Sequence, residues 1–311
     1  MKIFSGSSSQ ALAKQVALGL NQELSPIEVH VFPDGERRIR VDERVVDEHA
    51  VVIQSANTPV DTNYMELFFL VDALSRSGAE AVTAVVPYFG YQRQDHVFRE
   101  GEAVSLEVII EILEKVGVDR LVSFDMHSIR IPDLFHIPVS HLSALPLFAK
   151  KIEQLLSVNS IIKDNSVLIS PDMGGIARIK KLSELLDNMP YAAIEKDRDL
   201  ESGAISSTSF GEGSVKGKKV AFMVDDMISS GKTIVAASDV LEKSGISEIY
   251  VFATHAVFSE DAHIALQNSK VKKVFVTDSV YVAPEKGFKK LEIISVAEAI
   301  GQELQQLATS Q

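Results

Sequence analysis

Short apolar runs punctuate the chain at Lys2–Phe4, Ile27–Phe32, Val51–Ser55, Ala81–Pro87 and Arg120–Phe124, and again at Val167–Ser170, Val220–Val224, Glu248–Thr254 and Val274–Thr277. Most are rich in Val and Ile and do not alternate with polar residues, the pattern of strands covered on both faces of a sheet. Between them lie stretches whose apolar residues recur every three or four positions: Gln10–Leu20, Thr62–Ser75, Leu106–Val116, Leu145–Leu156, Ile176–Leu186, Thr233–Lys243 and Val296–Leu307. That spacing predicts amphipathic helices. Strand and helix in alternation predict an α/β fold built on mostly parallel sheets flanked by helices. Pro138 and Pro146 punctuate the middle, dividing the chain into an N-terminal α/β domain at 1–145 and a C-terminal one at 146–311 on a similar plan. One segment breaks the pattern. Asp197–Gly213 is rich in Gly and Ser, poor in large apolar residues, and reads as an exposed hairpin or a flap within 196–213.

Composition narrows the function classes. The 311 residues carry 31 basic and 43 acidic side chains, a net charge of −12, which argues against nonspecific nucleic-acid binding. It leaves phosphorylated substrates open, because a few local cations and a metal reverse the sign of a site. With no cysteine, disulfides, thiolate catalysis and cysteine-bound metal clusters are excluded. The first ten residues turn polar too early for a signal peptide, and no apolar run reaches the roughly 18 residues of a membrane span. The expectation is a soluble, cytoplasmic protein.

Ligands of open α/β sheets sit beyond the carboxyl ends of the strands, so polar residues there carry the first interest. After the apolar run ending at Val224 come Asp225-Asp226, then a small-residue turn, Ser229-Ser230-Gly231, then a helix opening near Thr233. Small residues let backbone N–H groups converge on an anion at a helix N-terminus, and adjacent carboxylates accept from sugar hydroxyls. The segment reads as a phosphate cradle with a ribose clamp; the plainer reading is a solvated strand-to-helix turn. It is not a Walker A loop, since Gly231-Lys232-Thr233 lacks the upstream glycine at the required spacing. His127, after the run Arg120–Phe124, and Asp172, after Val167–Ser170, supply an imidazole and a carboxylate that could hold a hydrated Mg²⁺ together with substrate phosphates. Alone, His127 reads more readily as a half-buried histidine bonded to a backbone carbonyl. The loop Pro87–Asp95 offers Arg93 for phosphate, Gln94 for an amide contact and Tyr88, Phe89 and Tyr91 for stacking. Phe32-Pro33-Asp34-Gly35-Glu36 reads as a turn, or as an aromatic platform with carboxylates for an adenine amino group. Lys196 and Arg198, at the threshold of the Gly/Ser segment, could neutralise charge on a transferring phosphoryl group.

Taken together these segments resemble a known family. FPDGE at 32–36, YFGYQRQD at 88–95, DMHS at 125–128, SPDMGG at 170–175, EKDR at 195–198 and VDDMISSGKT at 224–233 occur in the order and spacing of ribose-phosphate pyrophosphokinase, also called phosphoribosyl pyrophosphate synthetase. The resemblance spans nearly the whole chain. It implies two phosphoribosyltransferase type I-like domains, dimers assembled into larger rings (often hexamers), and a requirement for Mg²⁺. It further implies transfer of the β,γ-diphosphoryl group of ATP to the 1-hydroxyl of ribose 5-phosphate, with AMP leaving. Carried over by residue, Phe32, Asp34, Gly35, Glu36, Arg93 and Gln94 would contact ATP. The loop of the first four would reach a neighbouring subunit's site. His127 and Asp172 would hold Mg²⁺, and Lys196 and Arg198 would act at the reacting phosphate. Arg198, Asp225, Asp226, Ser229, Ser230, Gly231, Lys232 and Thr233 would bind ribose 5-phosphate.

Two segments depart from the family pattern. Ser229-Ser230-Gly231-Lys232-Thr233 stands where Asp-Thr-Gly-Gly-Thr is common, and Arg130–Phe135 replaces Gln-Ile-Gln-Gly-Phe-Phe. The second bears on assembly and regulation more than on chemistry. Two other functions stay open at this level: a phosphoribosyltransferase, which the FPDGE loop and the Arg93-Gln94 pair speak against, and a catalytically silent regulatory relative. The latter would be expected to have lost Lys196, His127 or Asp172, all of which are present.

Overall fold

The computed structural model describes residues 1–158, 161–198 and 205–309, with the side chains of 196–209 outside that description. The chain forms two compact units. The first comprises Met1–Leu142, Asp278–Tyr281 and Ser295–Gln311; the second comprises Ser143–Thr277 and Val282–Ile294.

In the first unit β1 (Lys2–Ser5) leads into α1 (Gln10–Gly19) and then into a hairpin of β2 (Ile27–Val31) and β3 (Arg37–Val41). There follow β4 (His49–Ile53), α2 (Val60–Arg76), β5 (Ala81–Val85), α3 (Ser105–Lys115), β6 (Arg120–Phe124) and β7 (Val139–Leu142). Among the described residues β1, β4, β5, β6 and β7 form one parallel sheet in that spatial order. Alternate residues of each strand serve opposite faces. Phe4, Val52, Ala84 and Leu121 join Leu67, Val71 and Leu74 of α2 and Leu106, Ile110 and Leu113 of α3 in one buried core. The sequence pattern had no strand at Arg37–Val41, because three arginines dominate it. Ile39 and Val41 pack on the core while Arg38 and Arg40 stay exposed, so the run alternates with period two.

The second unit runs α4 (Leu145–Val158), β8 (Ser166–Ser170), α5 (Ile176–Leu185), β9 (Tyr191–Arg198), β10 (Ile205–Gly213), β11 (Val220–Ile228), α6 (Lys232–Lys243), β12 (Glu248–Ala256), α7 (Ala262–Asn268), β13 (Lys273–Thr277) and β14 (Leu291–Ile294). Its sheet has the order β10-β9-β8-β11-β12-β13-β14, parallel except for β10 on β9. Leu182 of α5 and Phe148 of α4 pack with Leu168, Phe222 and Phe252 on one face. Leu241 of α6 and Leu266 of α7 pack with Val167, Met223 and Val251 on the other. The chain ends in α8 (Ala297–Thr309), which packs on α1 in the first unit.

One strand boundary is corrected. The apolar run ends at Val224, yet β11 continues to Ile228, because β12 pairs with it as far as Ile228↔Ala256. Asp225 and Asp226 are thus strand residues rather than the start of a turn. The Gly/Ser segment contributes an antiparallel pair: Lys196 lies opposite Thr208 and Arg198 opposite Ile205 in the β9–β10 register. Residues 199–204 lie outside the described residues.

Candidate functional site

In the second unit the chain proceeds from β8 to β9 on one side, while β11 lies on β8's other side and the chain moves outward from there. The gap beyond the carboxyl ends of β8 and β11 is therefore a topological switch point, where open α/β sheets leave a crevice for ligands. β8 pairs with β11 only as far as Ile169↔Met223, so Asp225 and Asp226 lie beyond the end of that ladder.

Their electrostatics are unusual. Arg178, on the first turn of α5, places Nη1 3.4 Å from Asp225 Oδ1 and Nη2 3.7 Å from Asp226 Oδ2. The side chains of Arg178, Asp225 and Asp226 are 17%, 17% and 6% exposed. Burial raises the Asp225 carboxyl well above the usual range. The charge of Asp226 and a hydrogen bond with it add to the rise, Arg178 opposes it, and Asp172 adds a further push. The Met173–Gly175 turn that follows Asp172 packs against both β8 and β11. Asp172 caps the turn Met173–Gly175, accepting from the Gly175 N–H at 3.3 Å, and its backbone carbonyl accepts from the Ser170 hydroxyl at 2.7 Å.

The Ser229–Thr233 turn feeds α6, a helix of 12 residues. Gly231 is its N-cap with φ of +74°, a left-handed conformation that glycine adopts without a Cβ clash. Ser229 and Ser230 are half-buried and Thr233 is exposed. The Ser229 hydroxyl shares a 2.9 Å hydrogen bond with that of Ser259. Lys232 donates to Glu260 at 3.0 Å, so the cation gained in this loop is offset by a neighbouring anion.

The first unit presents its own candidates at the carboxyl edge of its sheet. His127 follows β6 and is exposed, and its backbone N–H donates to Gln92 Oε1 at 2.8 Å. The preceding amide, of Met126, donates to His141 Nε2 at 2.9 Å. Arg93 and Gln94 are exposed on the loop after β5. That loop is fixed by the Tyr64 hydroxyl donating to the Gly90 carbonyl at 3.0 Å, and by a hydrogen bond from the Tyr91 hydroxyl to Asp61. Phe32–Glu36 forms the exposed tip of the β2–β3 hairpin. The Phe32 N–H donates to the Glu36 carbonyl at 2.8 Å, the Gly35 N–H to the Phe32 carbonyl at 2.9 Å, and the Glu36 N–H to Asp34 Oδ1 at 3.1 Å. Phe32 stands edge-on to His30 with centroids 4.5 Å apart, and the Arg38 guanidinium lies 6.0 Å over its ring. The divergent segment Arg130–Phe135 is anchored by buried Ile131 and by Phe135, whose ring meets Phe89 edge-on at 5.7 Å.

The structure thus joins Asp225 and Asp226 through Arg178, packs the turn after Asp172 against β8 and β11, and ties the Arg93-Gln94 loop to the His127 loop through Gln92. The hairpin tip bonds within itself, and Phe32 meets His30 and Arg38 of the flanking strands. Lys196 and Arg198 have strand backbone, and their side chains lie outside the description. Two residues went unnoticed in the sequence. Arg178 carries a readable signal, since a cation in the first turn of a helix opposes the dipole and calls for another reason. Gln92, buried beside exposed Arg93, carries none, because burial within a loop is set by packing.

His127 in the first unit and Asp172 in the second are each exposed, and each is a side chain that could give a hydrated Mg²⁺ one ligand while waters and phosphate oxygens supply the rest. Among the described residues no three His, Asp or Glu side chains gather as a metal cage of their own. No described helix is long and apolar enough to cross a membrane.

Known proteins resemble the chain over nearly its whole length. The N-terminal domain model of ribose phosphate pyrophosphokinase matches residues 1–117, and the phosphoribosyl synthetase-associated domain model matches 211–309. A ribose-phosphate pyrophosphokinase of Streptococcus agalactiae is 38% identical over 97% of this chain and 92% of its own length. One of Streptococcus pneumoniae is 37% identical over the same shares. The crystal structure of phosphoribosylpyrophosphate synthetase from Mycobacterium smegmatis superposes with a TM-score of 0.92 at 31% identity, covering 100% of this chain and 99% of that one.

Proposed function

The chain belongs to the ribose-phosphate pyrophosphokinase family, and on that premise we propose that it transfers the β,γ-diphosphoryl group of ATP to the 1-hydroxyl of ribose 5-phosphate, forming 5-phosphoribosyl 1-pyrophosphate and AMP. The observation that carries the reading is the crevice of the second unit. There a carboxylate pair suited to a sugar diol stands beside a glycine-capped helix N-terminus suited to a phosphate. Asp225 and Asp226 take the ribose hydroxyls, and Ser229, Ser230, Gly231, Lys232 and Thr233 wrap the 5-phosphate. Phe32, Asp34, Gly35, Glu36, Arg93 and Gln94 contact ATP.

His127 and Asp172 would each offer a ligand to Mg²⁺, which when bound would neutralise phosphate charge. Lys196 and Arg198 stabilise the charge that the phosphoryl oxygens carry in the transition state, where positioning and cations do most of the work. Arg178 keeps the Asp225–Asp226 pair aimed into the crevice. The protein works as a homo-oligomer built of dimers, up to a hexamer, in the cytoplasm, without nucleic acid or membrane.

Incubation of the protein with Mg²⁺, ATP and ribose 5-phosphate is expected to release AMP. ADP in its place would mean ordinary γ-phosphoryl transfer. No turnover would leave the protein as a silent relative.

A further inference from the structure

A charged residue is buried on the apolar face of α2. Glu66 shares that face with Asn63, Leu67 and Leu70, and its side chain is 1% exposed. A carboxylate so placed is stable only when its lone pairs are filled. Glu66 Oε1 accepts from the Ser7 N–H at 2.5 Å, from the Ser7 hydroxyl, and from Gln54 Nε2 at 3.5 Å. Glu66 Oε2 accepts from Arg37 Nη1 at 2.9 Å. The turn after β1, the end of β4 and the β2–β3 hairpin therefore meet on one fixed anion.

Arg37 is the residue directly after Glu36, at the end of the exposed hairpin tip. The base of the hairpin is seated by Ile27, Ile39 and Val41 on the core. The tip has no such seat, since between it and α2 lies a cavity of about 460 Å³ lined by Gly35, Glu36, Arg37, Asp61, Met65 and Phe69. The Arg37–Glu66 ion pair is the charged tie between the tip end and the body of the unit.

We infer that Arg37, held by buried Glu66, is a positioning residue for the nucleotide-contacting loop Phe32–Glu36. The inference rests on the reading of that loop as an ATP contact. A preorganised loop saves the ordering cost that a mobile one loses on binding, so the tie acts on affinity for the nucleotide and not on the sugar phosphate. Arg37→Ala frees the tip and leaves a buried carboxylate short of one partner, whereas Arg37→Lys keeps the charge with a single-point contact.

The test compares KM for ATP and KM for ribose 5-phosphate in wild type, Arg37→Ala, Arg37→Lys and Glu66→Gln, with amide hydrogen exchange across residues 27–41. Arg37→Ala is expected to raise KM for ATP about tenfold, equivalent to about 1.4 kcal/mol, with kcat within about twofold and KM for ribose 5-phosphate unchanged. Arg37→Lys restores part of the loss, and Glu66→Gln reproduces it. Exchange at Gly35 and Glu36 accelerates in Arg37→Ala, while β4 and β5 keep their protection. Equal shifts in both KM values, or unchanged exchange at the tip, would overturn the positioning role. Absence of AMP formation by wild type would instead remove the functional reading beneath it, and the exchange result would still decide whether Arg37 orders the tip.

Discussion

Replacing Arg178 with methionine keeps most of the side-chain volume and removes the cation facing Asp225 and Asp226. At separations of 3.4 and 3.7 Å the guanidinium's attraction to each carboxylate is about 5 kcal/mol with an effective dielectric of ~20. Desolvation of three groups this buried cancels much of that, and removing one partner of a buried pair typically costs about 3–5 kcal/mol. Proton uptake by Asp225 softens the loss, since its carboxyl is already held above the usual range. The net expectation is a destabilisation of about 2–3 kcal/mol at pH 8, which narrows as the pH falls, because a neutral Asp225 no longer needs its counter-charge. Denaturant unfolding of wild type, Arg178→Met, Asp225→Asn and the double variant, at pH 8 and pH 5, reads this directly. A coupling energy of about 2 kcal/mol between positions 178 and 225 at pH 8 is expected. Effects that add to within ~0.5 kcal/mol, or a loss independent of pH, would refute the electrostatic account of the crevice.

Three further outcomes are expected. Because the folded-state pKa of Asp225 is raised, the native protein binds more protons than the unfolded chain between the unfolded value near 3.9 and the folded one. Wild-type stability therefore falls as pH rises through that window, and Asp225→Asn should be the more stable protein at pH 8, with an advantage that vanishes near pH 4 in thermal melts. In Gly90→Ala the new Cβ would stand 2.7 Å from the Ala56 carbonyl oxygen and 2.9 Å from Val60 Cγ1, so a destabilisation of about 1–3 kcal/mol is expected together with a raised KM for ATP. A melting temperature equal to wild type would show that the loop yields freely. Lys196→Ala should lower kcat by about a hundredfold or more with little change in KM, the pattern of an interaction made chiefly in the transition state. A near-normal kcat would remove the lysine from the chemistry.

Much of the fold is visible as pattern. Val-Ile runs such as Val51–Ile53 and Val167–Ile169 need cover on both faces whatever surrounds them, and they are central strands. Edge elements were less legible. β7 and β14 are short strands of four residues each and only partly buried, so little apolar signal marks them. In the site, the acidic pair after an apolar run and the Ser-Ser-Gly turn announce themselves, since few structural needs place them there. Arg37, Glu66 and Gln92 do not, because each matters through a partner distant along the chain.

Local composition thus settled the α/β class, the principal strands and helices, and the segments where phosphate chemistry concentrates, because period, propensity and turn residues are properties of neighbours in sequence. Folding settled which strand became the longer neighbour, and so carried Asp225 past the end of β8. It also brought α8 back onto α1, and it buried Glu66 where Arg37 and Ser7 could fill its lone pairs. These outcomes depend on ladder register and on desolvation, which arise only when segments far apart in the chain share one interior.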